Sequence, residues 1–269
     1  MAVVNLDLYS YQLGMNTQAT VILPERRGVP HVSRAGKPFP VLYLLHGHGQ
    51  DHTSWLRLSR LEYYLANTDL IVVMPNISRG CYVDGQGTHN YGTYLTEELP
   101  VALQNWFHIS PRREDTFIAG LSMGGYGALH AAMSHPERYG AAAALSAAIR
   151  LDQMNLGPEA AAKGLALPPL EEMDRNFRCV FGPEETFDST DYSLKVQAKR
   201  LQESDGPKPR LLQLCGDDDP LLGQNEDFAA FMKAECPGLD HTYQVSPGMH
   251  NFDFWDREIL TALKFFGLL

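Results

Sequence analysis

The apolar positions along the chain follow two periods, and each predicts a different element. Over residues 3–11 and 18–23, around Leu13-Gly-Met-Asn16, they alternate or run apolar, which predicts an antiparallel hairpin at one sheet edge. Val41-Leu-Tyr-Leu-Leu45 and Leu70-Ile-Val-Val-Met74, the second stopped by Pro75, are continuous and predict strands buried on both faces. Thr116 to Ala119, Ala141 to Leu145, Arg210 to Cys215 and His241 to Val245 extend that series. Helical spacing lies between them: roughly Trp55 to Leu65, Tyr91 to Phe107 with Pro100 tolerated at a kink or local start, an Ala-rich segment after Ser122, Glu226 to Glu235, and Asn251 to Leu268. Residues 24–40 hold four prolines and two glycines and predict an exposed loop, as do the Gly-rich, polar residues 78–90. Residues 147–209 break the rhythm with prolines, charges and short helical pieces near 169–178 and 192–203, an excursion from the sheet rather than a second domain. Strands alternating with helices imply one α/β domain over residues 1–269. Its sheet is mostly parallel, with helices on both faces and the antiparallel hairpin at its N-terminal edge.

Composition narrows the function. A chain of 269 residues, 44% hydrophobic and 20% charged, can bury a sizeable core and is not a mainly disordered one. The net charge of −10 argues against nucleic acid or an anionic membrane as partner. Cys81, Cys179, Cys215 and Cys236 lie far apart without CxxC spacing, so isolated buried thiols are expected rather than a disulfide framework or structural zinc. The start Met1-Ala-Val-Val-Asn5 has no basic-then-apolar leader pattern, and no apolar run nears the roughly 20 residues of a membrane span, which predicts a cytoplasmic protein.

The chemistry gathers around Phe117-Ile-Ala-Gly-Leu-Ser-Met-Gly-Gly-Tyr-Gly127. A short apolar strand, Gly120-x-Ser122-x-Gly124 and then a helix have the form of a nucleophile elbow, a strained turn that exposes a serine hydroxyl. The helix that begins there points N–H groups and its positive dipole end at the place where an oxyanion would form. A serine hydroxyl needs a neighbouring base and an orienting carboxylate, which follow in the order acid, then histidine, in the α/β-hydrolase pattern. Of the downstream histidines, His130 and His135 lie on or just past the elbow helix and His241 opens a strand. His250, in the loop after the last strand, sits at the carboxyl edge of the sheet and is the expected base. The loop after the preceding strand offers Asp217, Asp218 and Asp219, and spacing does not choose among them. The oxyanion donors expected are the N–H of Met123 and that of His48, in His46-Gly-His-Gly-Gln50. His46, His48, His52 and His89 also invite a metal reading, but the oxyanion loop already explains His-Gly-x-Gly, and no carboxylate or cysteine has ligand spacing. No metal and no cofactor are expected.

On these residues the chain resembles the bacterial tributyrin-esterase group of the esterase D-like α/β-hydrolases, relatives of feruloyl and acetyl-xylan esterases and of S-formylglutathione hydrolase. The segments that carry the likeness are Tyr9-Ser with Leu13-Gly-Met-Asn and Val21-Ile-Leu-Pro; Leu42-Tyr-Leu-Leu-His-Gly with Trp55; and Tyr94-Leu-Thr-Glu-Glu-Leu-Pro. They continue with Ala119-Gly-Leu-Ser-Met-Gly-Gly-Tyr-Gly-Ala, Cys215-Gly-x-x-Asp219-x-Leu221 and Pro247-Gly-x-His250 with Phe254-Trp255, so that nearly the whole chain is covered. The resemblance implies Asp219 as the acid, supports His48 as the second oxyanion donor, and makes 147–209 a cap-like segment over the active site. Where such families have an apolar or small residue, this chain has His48. The implied activity is a serine carboxylesterase acting on small, short-chain esters, with His46, Gly47, Trp55 and Tyr91 expected to contact substrate and a homo-oligomer expected as the assembly. Its alternatives are a feruloyl or other hydroxycinnamoyl esterase, S-formylglutathione hydrolase, an acyltransferase, and a catalytically silent binding module. Tyr82, Tyr91, Tyr94, Trp55 and Phe177 are either walls of a ring-sized pocket or, as favoured residue by residue, packing.

Overall fold

Alternation along the buried strands divides the interior into two cores. In a computed structural model, which describes residues 1–25, 36–150 and 170–269, the strands are β1 (Ala2–Ser10), β2 (Met15–Leu23), β3 (Val41–Leu45), β4 (Ile71–Pro75), β5 (Thr116–Leu121), β6 (Ala141–Leu145), β7 (Arg210–Gly216) and β8 (His241–Ser246). They form one sheet in the order β1-β2-β4-β3-β5-β6-β7-β8. β1 and β2 pair antiparallel as the expected hairpin, β2 pairs antiparallel with β4, and the remaining pairs are parallel.

Because side chains point to opposite faces in turn, Tyr43, Leu45, Ile118, Ala142 and Ala144 enter one core while Leu42, Leu44, Ala119, Ala143 and Leu145 enter the other. The first core is closed by α4 (Leu99–Trp106), α5 (Met123–Ser134), α6 (Leu170–Phe181), α7 (Leu194–Glu203) and α8 (Leu222–Glu235). The second is closed by α1 (Ser54–Leu58), α2 (Leu61–Tyr64) and α9 (Phe252–Phe265). Helices on both faces are what a sheet of continuous apolar strands requires.

Two elements differ from the sequence expectation in detail. The helix over Trp55–Leu65 is broken at Ser59, which is extended at φ −133° and returns its hydroxyl to the Trp55 carbonyl at 2.5 Å. The helical run from Tyr91 holds a short α3 (Tyr91–Thr93) and then a wide π turn (Tyr94–Glu98) before α4. Pro100 has no N–H to give and its ring crowds the preceding turn, and Leu99 N–H reaches back to the Tyr94 carbonyl. The expected helical pieces near 169–178 and 192–203 appear as α6 and α7, whereas residues 26–35 of the first loop and 151–169 of the excursion lie outside the described residues. Among the described residues no helix is long and apolar enough to cross a membrane.

Candidate active site

The backbone builds the strained turn that carries Ser122. Ser122 stands between β5 and α5 at φ 53° and ψ −117°, a conformation that residues with side chains rarely adopt. Four hydrogen bonds hold it there. Its N–H donates to the Leu145 carbonyl at 2.9 Å, and its own carbonyl accepts from the N–H groups of Gly125, Tyr126 and Ala148 at 2.9, 3.1 and 3.1 Å. Strain of this kind persists only where the surroundings over-determine it. The flanking glycines are required by close approach. A Cβ at Gly120 would lie 2.3 Å from the Gly124 carbonyl oxygen, and one at Gly124 would lie 2.6 Å from that of Leu45.

From the hydroxyl a line of hydrogen bonds runs inward. Ser122 Oγ lies 3.0 Å from His250 Nε2, and His250 Nδ1 lies 2.9 Å from Asp219 Oδ2 and 3.1 Å from Oδ1. A carboxylate only accepts, so Nδ1 carries the proton and Nε2 is left to accept from the serine. Of the three adjacent aspartates, Asp217 and Asp218 are exposed and Asp219 is buried. Asp217 caps the neighbouring turn by accepting from Gly248 N–H at 3.0 Å. Asp219 also accepts from Leu221 N–H at 2.8 Å. Burial by itself raises the Asp219 carboxyl, but the hydrogen bond and charge of His250, the Ser146 hydroxyl and the Leu221 N–H outweigh it and hold the group below the ordinary carboxylate value. β7 and β8 bring this acid and this histidine together: a Cβ at Gly216 would strike the Gly248 carbonyl at 2.3 Å, so only glycine lets the two loops touch.

The loop after β3 lies against the elbow, since a Cβ at Gly47 would meet Leu121 Cδ1 at 2.6 Å. Met123 opens α5, so its N–H belongs to the first turn, which no carbonyl of the helix can satisfy. The His48 imidazole has both nitrogens buried without a hydrogen-bond partner, 5.8 Å from the Phe177 ring of α6. Burial, and then the charge of Arg79, push it down to about 4, so the ring is neutral. Arg79 itself bonds Glu172 of α6.

His46, Trp55 and Tyr91 are packed rather than open. His46 is 1% exposed and receives Ile77 N–H at Nε2, while its Nδ1 donates to the Gly47 carbonyl at 2.8 Å. Trp55 is 1% exposed and its indole N–H donates to the Leu45 carbonyl at 3.0 Å. The Tyr91 ring presses on Gly80, where a Cβ would come within 1.9 Å of it. Tyr82, Tyr94 and Phe177 are buried as well. His130 bonds the Asp191 carbonyl and His241 bonds Gln213, both outside the Ser122–His250–Asp219 line. His52 bonds Thr20. Among the described residues no group of three or more His, Cys, Asp or Glu is placed to hold a metal ion.

Sequence reasoning gave no role to two residues behind the site. Ser146, at φ 49°, receives the Trp255 indole N–H at 3.1 Å and passes its own hydroxyl to Asp219; its one sequence signal is its place directly after the last apolar residue of β6. The Trp255 ring also stands edge-on to His250, with centroids 5.0 Å apart.

The model of the family described as "Putative esterase" matches residues 10–266. An acetyl esterase of Caldicellulosiruptor saccharolyticus is 29% identical over 98% of this chain and 97% of its own. The structure of FphF, a fluorophosphonate-binding serine hydrolase of Staphylococcus aureus, superposes with a TM-score of 0.83 at 28% identity, covering 98% of each chain. The S-formylglutathione hydrolase FrmB of the same organism superposes with a TM-score of 0.80 at 27% identity, again over 98% of each chain.

Proposed function

The chain belongs to the "Putative esterase" family, and from that membership we propose that it is a serine carboxylesterase hydrolysing short-chain acyl esters through an acyl-enzyme intermediate. Ser122 is the nucleophile, His250 the general base and then acid, and Asp219 the group that orients the imidazole and stabilises its charged form. As Ser122 Oγ bonds the ester carbonyl carbon, its proton passes to His250 Nε2, and the N–H groups of His48 and Met123 hold the oxygen that becomes negative. Collapse expels the alcohol with that proton. Water then repeats the sequence and frees the acid.

The observation that carries this reading is the continuous line from Ser122 Oγ through His250 to the buried Asp219, at 3.0 and 2.9 Å, starting from a strained elbow. The short-chain preference draws support from the likeness to an acetyl esterase and from aromatic side chains that pack inward rather than wall a wide pocket. We read 147–209 as a cap-like part of the same single domain. The contacts of α6 with Arg79 and His48 support that reading. A cytoplasmic location and a homo-oligomeric assembly belong to the same proposal, the first resting on the sequence and the second on the family resemblance.

The test is kcat/KM for p-nitrophenyl acetate, butyrate and octanoate, methyl ferulate and S-formylglutathione, with Ser122→Ala alongside. Acetate or butyrate is expected to lead, and Ser122→Ala to lower turnover by about three orders of magnitude or more. A lead for methyl ferulate or S-formylglutathione would replace the substrate class. Substantial turnover by Ser122→Ala would remove the nucleophile assignment.

A further inference from the structure

Outside the line of hydrogen bonds, the most strained described segment is the loop after β4. Three residues with side chains, Ser78, Cys81 and Tyr82, have left-handed φ of 54°, 53° and 64°. For a bulky aromatic residue that conformation is a true outlier, so something outweighs its cost. The Tyr82 side chain shows what. It is 1% exposed, and its ring lies against Gly127, where a Cβ would come within 2.5 Å of it. Gly127 is four residues after Met123, on the same face of α5. At its other end the Tyr82 hydroxyl donates to the His46 carbonyl at 2.7 Å. Burial raises the phenol far above its ordinary value, so it stays a donor at any working pH.

We propose that Tyr82 is a positioning residue of the oxyanion hole: braced on α5 and bonded to the loop after β3, it sets the separation and aim of the Met123 and His48 N–H groups. This rests on the assignment of those donors under the proposed function.

The peptide planes explain how a hydroxyl that donates to the carbonyl of residue 46 can aim the N–H of residue 48. The plane joining His46 to Gly47 is held at both ends. Its carbonyl takes the Tyr82 hydroxyl, and its N–H donates to Gln50 Oε1 at 3.0 Å. The next plane, joining Gly47 to His48, has its carbonyl held by His46 Nδ1 at 2.8 Å and by Gln50 N–H at 3.2 Å. A peptide is planar and its N–H points opposite its carbonyl, so the His48 N–H is turned away from that cluster. The His46 ring that makes this bond is itself fixed by Ile77 N–H at 3.1 Å, from the same strained loop. Removing the Tyr82 hydroxyl therefore releases the carbonyl end of the first plane of a hinged pair, leaving it held only through Gly47 N–H, while the ring still fills its seat on Gly127.

The experiment compares wild type with Tyr82→Phe and, from the other side of the contact, Gly127→Ala, whose new methyl would push the ring. Each is measured for kcat and KM on p-nitrophenyl acetate, for Ki of a trifluoromethyl ketone whose Ser122 adduct carries the oxyanion, and for Tm. Since loss of a whole oxyanion donor costs about 100- to 1000-fold in kcat, a misaimed one in Tyr82→Phe should cost roughly 10- to 100-fold with KM within about twofold. Ki should rise by the same factor as kcat falls. A kcat within twofold of wild type, or a lowered kcat with Ki unchanged, would overturn the proposal. So would a loss that appears only as raised KM. If wild type hydrolyses esters and Ser122→Ala does not, that failure leaves the proposed function standing. If Ser122→Ala retains turnover, the function itself has failed.

Discussion

At the scale of single residues, chemistry at this site is separated by burial. Asp217, Asp218 and Asp219 are identical in side chain and adjacent in the chain, yet one lies under the His250 ring and two face water. A buried carboxylate that holds a histidine in one tautomer affects the rate far more than an exposed one that caps a turn. Asp219→Asn is therefore expected to lower kcat by about 10³- to 10⁴-fold, while Asp217→Asn, which can still accept from Gly248 N–H, and Asp218→Asn should stay within a few-fold. Steady-state kinetics on p-nitrophenyl acetate checks this. Equal losses in all three would remove Asp219 from its role.

At the scale of elements, the elbow depends on how close a helix can come to the sheet. Ala141, Ala142, Ala143 and Ala144 of β6 are all fully buried, and Ala142 and Ala144 face the core that α5 closes. Small side chains on the strand and Gly125 on the helix let the two backbones pack closely; a Cβ at Gly125 would already lie 3.0 Å from the Cα of Ala147, just past β6. Ala144→Leu overfills this layer and should cost about 1–3 kcal/mol, a fall in Tm of roughly 2–12 °C for a chain of this size. Because α5 carries Met123, kcat should fall with it. Thermal unfolding that matches wild type would mean the layer has room that the contacts do not suggest.

For the whole molecule, the histidines decide the response to acid. His46, His130 and His241 are each pushed down to about 4, in every case first by burial. The His46 ring is also locked neutral by geometry, because the Nε2 that a proton would occupy faces the Ile77 N–H. An unfolded histidine titrates near ~6.5, so between about 6.5 and 4 the unfolded chain binds protons that the folded one refuses. Stability is then expected to fall as pH drops through that window, by at most about 1.4 kcal/mol per pH unit for each histidine, and to stop falling on this account below about 4. Asp219 and Asp256 are shifted below their ordinary value, and their contribution holds above the unfolded carboxylate range and is lost only at lower pH. Urea unfolding at pH 7.5, 6.5, 5.5 and 4.5 measures the slope. A midpoint that is flat from 7.5 to 4.5 would mean these rings accept protons in the folded state.

Much was legible in the sequence because its signals are local. Continuous apolar runs require burial on both faces, which places β3 to β7 in a covered parallel sheet, and a serine between glycines at a strand end requires a tight turn. His250 was legible too, as the histidine in a loop at the carboxyl edge. Which of three aspartates meets His250 was implied by the family resemblance but not by spacing; the physical cause is the crossing of two loops at Gly216 and Gly248, a contact between residues 32 apart that neither period reports. The roles of His46, Trp55 and Tyr82 were likewise out of reach. From sequence His46 and Trp55 were expected substrate contacts, and Trp55 and Tyr82 were candidate pocket aromatics. In the fold each spends its polar group on a backbone partner in or beside the loop after β3. A side chain's period says which face it takes, but only the positions of all the other backbones say whether its polar atom meets a substrate or a carbonyl.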